Sequence, residues 1–416
     1  MVSDSERKIY AFIGGEHPAP LGILYVGRER AREVYAFSFA ASFLREERVM
    51  LDPHLAFYAG RQYLPTEEMF GMFQDASPDR WGRLLMKKRE VLRARAAGEK
   101  PKKLFESDYL LGVYDEGRMG ALRLALSPDG PFLSNDTTIA APPWVKLREL
   151  EDAAHHLEND DEQRDSHWLA LILAPGSSLG GARPKATVKA VDGSLWIAKF
   201  PSRHDDVDIG AWEMVAHELA ALCGLNVPPA KCVAFSKRGS TFLVKRFDRE
   251  DMRRIHFASG MTMLDKRDNE RDASYLDLLD FVVQHGADPK ESETELWKRL
   301  VFNLLISNTD DHLRNHGFIL LKDGWHLSPL YDVNPVPYGD ELSLNITYDS
   351  ANMSLESAVE TAPFYDIARG EAERIIKEMS HIIMQNWERL AKKYHITNVS
   401  IEYMRPAFTL AAEAAS

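Results

Sequence analysis

In the run NTDDHLRN, residues 308–315, four residues separate Asp310 from Asn315, and a short apolar stretch then leads to LYDVNP, which places Asp332. An Asp followed after four residues by an Asn, with a further Asp downstream, is a set that can support phosphoryl transfer. The first carboxylate can orient a hydroxyl and take its proton, while an amide oxygen and another carboxylate suit a hard Mg2+ ion beside a triphosphate. Asp310 is therefore the candidate catalytic residue, and Asn315 and Asp332 are the candidate metal ligands. The competing reading is a polar helix-to-strand turn in which Asp310, Asp311 and Asn315 only cap backbone groups. The spaced Asn, the intervening hairpin pattern and the second Asp, all in register, favour chemistry.

These residues need elements to place them. A helix rich in Leu and Ile ends near Ser307, so the polar run falls in the loop after it. Ser292-x-x-Glu295 has the form of a capping box and is expected to open that helix, which runs through Leu305. FILL (318–321) and WHLSPLY, joined by Lys322-Asp323-Gly324, form a hairpin that returns Asp332 toward the loop. Bound phosphates also need a cation. Lys199, late in the strand SLWIAKF, is the candidate for the α/β-phosphates; the alternative is a strand-edge lysine in solvent. Glu213, on the following helix, either pairs with Lys199 or stands as a plain surface glutamate. The loop SSLGGARPK (177–185) offers Gly180 and Gly181, whose amides can approach phosphate oxygens, and ends on Lys185. Gly176-x-x-x-x-Gly181 begins like a Walker motif, but Ala182-Arg183 follows, which excludes a P-loop NTPase; no GxGxxG occurs either.

The chain has 416 residues, enough for about two or three domains at roughly 150 residues each. Hydrophobic residues make up 45% and charged residues 27%, so a folded chain is expected. A net charge of -12 argues against a protein that coats nucleic acid unaided. Locally the balance inverts, with ten Lys or Arg against two acidic residues between Arg80 and Lys103. That stretch reads as a solvated helix face or as a contact for an acidic partner or a DNA backbone. Cys223 and Cys232 lie outside any CxxC pattern and read as buried thiols. No signal core or span-length apolar stretch is visible, so a cytoplasmic protein with no membrane contact is expected. His217-Glu218 imitates a zincin helix, but Ala221 occupies the second histidine's place.

Short strands including LGILYV and VYAFSFAA fill residues 1 to about 140, and the turn-rich 127–144 reads as a boundary. Next come a helix, the Gly-rich loop, and PKATVKAV and SLWIAKF flanking the hairpin signal Asp192-Gly193. The apolar positions of 208–223 fit a 3.6-residue period, with Gly224 as a stop. After RFDR (246–249) the chain turns mainly helical, with a helix from Tyr275 to His285. Three regions are expected: 1–140, 141–250 and 251–416.

FQDASPDRWGR (73–83), LLGVYDEGRMGALRL (110–124), SLGGARPKA, WIAKFPS, HELAALCGLNVP, LVKRFDR, LISNTDDHLRNHGF and LSPLYDVNP occur in this order. The ordered set resembles the HipA family of bacterial serine/threonine kinases, the toxins of toxin–antitoxin pairs, over most of the chain. The resemblance implies an α+β, two-lobed protein-kinase-like fold with a mixed-sheet N-lobe, a mainly helical C-lobe and an extra strand-rich N-terminal subdomain. It implies Asp310 as the catalytic Asp, Asn315 and Asp332 on Mg2+, Lys199 on ATP, and backbone groups around Lys245 and Phe247 as an adenine hinge. Ser178 matches the serine these kinases phosphorylate in their own loop, which adds about two negative charges and expels the loop from the nucleotide site.

The expected activity is thus ATP- and Mg2+-dependent phosphorylation of Ser or Thr on a cytosolic protein. By resemblance the target is an aminoacyl-tRNA synthetase, whose inactivation halts growth. The expected partner is a HipB-like helix-turn-helix antitoxin, which would bring most of the DNA affinity. The alternatives are a small-molecule kinase and a catalytically silent corepressor that binds an antitoxin.

Overall fold

Alternating burial builds the first sheet in the computed structural model, which describes residues 6–29, 32–46, 49–64, 69–135, 140–158, 181–251, 253–267, 270 and 272–416. Glu33, Tyr35, Phe37 and Phe39 share one buried face of β3 (Arg32–Phe39), the two-residue period of a strand covered on one side. With β1 (Arg7–Ile13), β2 (Ala19–Glu29), β4 (Gln62–Tyr63) and β5 (Leu122–Ala125) it forms an antiparallel sheet of order β4-β3-β2-β1-β5. The expected strands LGILYV and VYAFSFAA lie on β2 and β3. Strands and helices occur together up to Leu327 and helices alone follow, so the α+β class holds.

The chain divides into two compact units, Met1–Ser202 with Arg246–Ala258, and Arg203–Lys245 with Ser259–Ser416. In the first unit, β6 (Lys185–Lys189) and β7 (Leu195–Lys199) pair as an antiparallel hairpin around Gly193, as Asp192-Gly193 predicts. The expected basic helix runs Arg80–Ala97. Much of its charge is spent within the unit: Arg83 forks onto Glu106, Arg93 holds Glu90 and Glu99, and Lys88 donates to the Leu157 carbonyl.

The return of 246–258 to the first unit rests on buried charge. Arg246 and Asp248 are both fully buried, with Nη2 and Oδ2 2.6 Å apart. Arg246 also donates to the carbonyls of Gly117 and Arg118, and Asp248 accepts from Arg249 and from the Gly120 amide. Nearby, Asp115 takes Arg123 at 2.6 Å and Arg254 at 2.8 Å. The motifs GVYDEGRMGALRL and RFDR are thus two halves of one hydrogen-bonded charge cluster, in which each ion's desolvation is offset by partners.

In the second unit, the helix Ile209–Leu222 is capped by Asp208, and Gly224 ends it at φ +77° as the sequence predicts. β8 (Ala230–Ser236) and β9 (Gly239–Lys245) form an antiparallel pair. The helix Tyr275–His285 begins at a capping box, Ser274 with Asp277. The helix Pro289–Leu305 opens one turn before the sequence reading places it. Asp288 caps it and Pro289 occupies its first turn, while Ser292 is buried inside. Proline presets the first-turn φ and sacrifices an N–H that has no helical partner, so Asp-Pro outcompetes Ser292-x-x-Glu295 as the start. Trp297 and Trp387 anchor the core, the latter stacked on Phe408 at 4.4 Å. Cys223 is buried and Cys232 half-buried; both are free, and burial pushes each thiol up to about 12. Among the described residues no helix is long and apolar enough to cross a membrane.

The charge cluster yields a stability prediction. Burial works to raise the Asp248 carboxyl, but Arg246, Arg249 and the Gly120 amide outweigh it and hold the group at about 2, against an ordinary 3.8. A depressed carboxylate stabilises fully above its unfolded value and loses that contribution as pH falls toward its folded value. Asp248→Asn, which strands two buried guanidinium groups, should cost about 3–5 kcal/mol at pH 7. In urea denaturation series the wild type should lose stability between about pH 4 and pH 2, a component absent from the variant. Equal stability of the two proteins at pH 7 would remove the cluster from its assigned role.

Candidate active site

The polar run 308–315 leaves the helix Pro289–Leu305 through Ser307, whose φ of +54° turns the chain sharply. A short 3-10 turn, Leu313–Asn315, closes the loop before the hairpin Gly317–Leu321 and Gly324–Leu327 begins. The expected hairpin is present, and Leu321 pairs with Gly324, so the turn itself is Lys322-Asp323.

Asn315 is buried, and its amide nitrogen donates to the Asp310 carbonyl at 3.0 Å. That bond spends the nitrogen and leaves the amide oxygen as the end available to a cation. Asp310 itself is exposed. The segment carrying Asp332 is tied to this loop on both sides of that residue. Tyr331 Oη donates to the Arg314 carbonyl at 2.7 Å, and the Asn334 amide donates to Asn308 Oδ1 at 3.3 Å. Between them Asp332 takes φ +58°, a left-handed conformation costing roughly 1–2 kcal/mol outside glycine, which aspartate tolerates better than most. Asp310, Asn315 and Asp332 therefore lie on two segments bonded to each other. The donor set they offer is oxygen only, which suits a hard cation. Among the described residues no group of three or more His, Cys, Asp or Glu side chains gathers as a metal site built from those ligands would need.

Further along, the Val336 amide donates to the Ser307 carbonyl, and the Ser343 amide and hydroxyl both donate to the Thr309 carbonyl. Gly339 passes so close that a β-carbon there would stand 2.2 Å from Thr309 Cγ2 and 3.0 Å from its Cβ. A β-branched side chain cannot yield that distance, so only glycine fits.

Other sequence-derived positions fall as follows. Lys199 is 6% exposed at the end of β7, which rules out a strand-edge lysine in solvent. Glu213 is 3% exposed on the helix Ile209–Leu222, which rules out a plain surface glutamate. Ser178 and Gly180 lie outside the described residues; Gly181 is exposed, and a β-carbon added to it would meet nothing within 4 Å. Lys185 requires a correction. Its ammonium is buried and donates to Asp79 Oδ2 at 2.9 Å and to the Gly181 carbonyl at 2.8 Å, while its own carbonyl accepts from Trp81 Nε1. Its charge is neutralised inside the first unit and holds the end of the glycine loop, so it does not face a phosphate. The backbone N–H of Lys245 is likewise committed, to the Pro229 carbonyl at 2.8 Å, and cannot serve as a hinge donor. Phe247 packs its ring near Phe257 at 6.0 Å. His217, the zincin decoy, bonds the Pro228 carbonyl through Nε2.

Sequence reasoning gives Asp311 a part only in the competing turn reading and otherwise no role. It is 2% exposed; burial raises its carboxyl, but the bonded His316 ring and the Tyr275 hydroxyl outweigh that and hold it below the ordinary range.

The sequence profile of the HipA-like C-terminal domain matches residues 177–387. A protein of Haemophilus influenzae provisionally named a kinase is 31% identical over 27% of this chain and 38% of its own length. Y4mE and Y4dM of Sinorhizobium fredii, also provisionally named kinases, are 28% and 26% identical over 39% and 47% of this chain. The matches span 38%, 43% and 55% of those relatives' lengths. Among solved structures, HipA of Shewanella oneidensis MR-1, in complex with HipB and operator DNA, superposes with a TM-score of 0.67 at 15% identity, covering 98% of this chain and 96% of that one. At that identity the likeness speaks for the fold alone.

The close approach at Gly339 can be tested directly. Gly339→Val should push Thr309 and speed hydrogen exchange of the amides in 307–315 by about tenfold or more, read by mass spectrometry, while exchange in the helix Arg369–Lys393 stays unchanged. Unaltered exchange in the loop would show that Thr309 is not held from this side.

Proposed function

The chain belongs to the family of proteins with a HipA-like C-terminal domain, and we propose that it is an ATP- and Mg2+-dependent serine/threonine protein kinase of two-lobed, protein-kinase-like build. The observation that carries this reading is the Asn315 amide bonded to the Asp310 carbonyl, with both flanks of Asp332 bonded to the same loop. In the proposed reaction Asp310 orients a Ser or Thr hydroxyl and accepts its proton. The hydroxyl oxygen bonds the γ-phosphorus as the bond from that phosphorus to the β–γ bridging oxygen breaks, leaving ADP. Asn315 and Asp332 would hold Mg2+, whose charge offsets that of the phosphate oxygens. Lys199, an ammonium among buried strand residues, would contact the α/β-phosphates.

The family and the Shewanella neighbour's company of HipB and operator DNA support a toxin of a toxin–antitoxin pair, with a HipB-like antitoxin as partner and DNA reached through it. The proposed substrate is a translation component in the cytoplasm, such as an aminoacyl-tRNA synthetase. Ser178 is proposed as the self-phosphorylated serine, whose added charge would turn the enzyme off.

Phosphoproteomics after brief expression of wild type and Asp310→Ala should show Ser or Thr phosphosites present only with the wild type. Label from ATP found on metabolites and never on protein would overturn the reading in favour of a small-molecule kinase. With purified protein, Ser178→Ala should lose self-phosphorylation and keep its thermal stabilisation by ATP. Phosphopeptides mapping elsewhere would remove Ser178 from this role.

A further inference from the structure

Behind the loop that carries Asp310 lies a set of polar side chains with almost no access to solvent: Tyr275, Asn303 and His316 at 0%, Asn308 and Asp311 at 2%. The Tyr275 hydroxyl donates to an Asp311 carboxylate oxygen and accepts from Asn303 Nδ2 at 2.8 Å. Asn303 Oδ1 accepts from Asn308 Nδ2 at 3.0 Å, and Asn308 Oδ1 accepts from the Asn334 amide at 3.3 Å. On its other side the Asp311 carboxylate meets His316 Nε2 at 3.0 and 3.1 Å. The bonds make one line. It starts at the residue after Asp310 and ends two residues past Asp332, passing through the first residue of the helix Tyr275–His285 and the last turn of the helix Pro289–Leu305.

We propose that Tyr275 is the positioning residue that sets the Asp310 loop and the Asp332 segment in register, acting through Asp311 on one side and through Asn303 and Asn308 on the other. The five side chains of the line, Tyr275, Asn303, Asn308, Asp311 and His316, are buried, so one deprived of its partner has no water to replace it, and the line holds as a unit. Tyr275 is itself fixed: its backbone amide donates to the Asn345 carbonyl, and Ser274 and Asp277 close a capping box around the helix start. Its ring stands edge-on to His316 at 5.2 Å. A rigid ring thus presents one hydroxyl to two segments at once. This rests on the phosphotransfer reading for its effect on rate, and on geometry alone for the coupling of the two segments.

Tyr275→Phe keeps the ring and its packing and deletes one oxygen atom. It leaves Asn303 Nδ2 without its acceptor and Asp311 with His316 alone. Displacements of an ångström or less at reacting groups cost up to about a hundredfold in rate. The expected result is a fall in kcat of about tenfold or more, with the KM for ATP within about twofold of wild type. Asn308→Ala should act on the same line, so the double variant should be no slower than the slower single variant, whereas independent losses would multiply. A merely structural role would lower thermal stability and leave kcat per folded molecule intact, which would overturn the proposal.

Hydrogen exchange supplies a readout independent of activity. In Tyr275→Phe the amides of 309–316 and those of 332–336 should both exchange faster; acceleration of one segment without the other, or of neither, overturns the proposal. Should wild-type protein transfer no phosphate at all, the phosphotransfer reading fails, and the exchange data still decide whether Tyr275 couples the two segments.

Discussion

Two segments of the chain, 307–315 and 331–343, must be held in one place, and hydrogen bonds to backbone atoms do that. Tyr331 reaches the Arg314 carbonyl, Val336 the Ser307 carbonyl, and Ser343 the Thr309 carbonyl. Negative side chains on neighbouring segments do not attract one another, so the force that assembles the site cannot come from Asp310 and Asp332. It comes from neutral groups on either side of them. The left-handed residues Ser307 and Asp332 are the local cost of that arrangement, roughly 1–2 kcal/mol each, and they persist because the surrounding bonds over-determine them.

The same logic governs the first unit, with charge in place of neutral groups. Lys185 sits opposite Lys199 across the β6–β7 ladder, an arrangement of like charges that is unfavourable unless one is neutralised. Asp79 neutralises Lys185. That frees the pair from mutual repulsion and explains why FQDASPDRWGR and the end of the glycine loop belong together: Asp79 takes the ammonium, and Trp81 takes the carbonyl of the same residue. Arg246 and Asp248 do for the segment after β9 what Lys185 does for the loop before β6. In each case a buried ion selects partners far away in the chain, because leaving it unpaired costs several kcal/mol.

How much is legible in the sequence varies by residue. The period of 209–222, the glycine stop after it, the hairpin around Gly193 and the loop placement of Asp310 are readable, since each depends on residues within a few positions of one another. The start of the helix at Pro289 is also local, yet the capping-box pattern one turn later competes with Asp288-Pro289 and points to the wrong residue. Lys185 misleads for a different reason: its partner, Asp79, is 106 positions away. Nothing near Lys185 distinguishes an ammonium that faces a phosphate from one already neutralised.

By itself the sequence determined the residue types, the spacing of Asp310 and Asn315, and the secondary structure that brings Asp332 back after a hairpin. These follow from side-chain chemistry and from backbone preferences that act over a handful of residues. Tertiary structure alone decided that Asp311 is buried against Tyr275 and His316 while its neighbour Asp310 is exposed, and that Lys185 serves the fold. The physical reason is that burial and the choice of a hydrogen-bond partner are set by groups distant in the chain, and desolvation, which makes those choices binding, has no local signature.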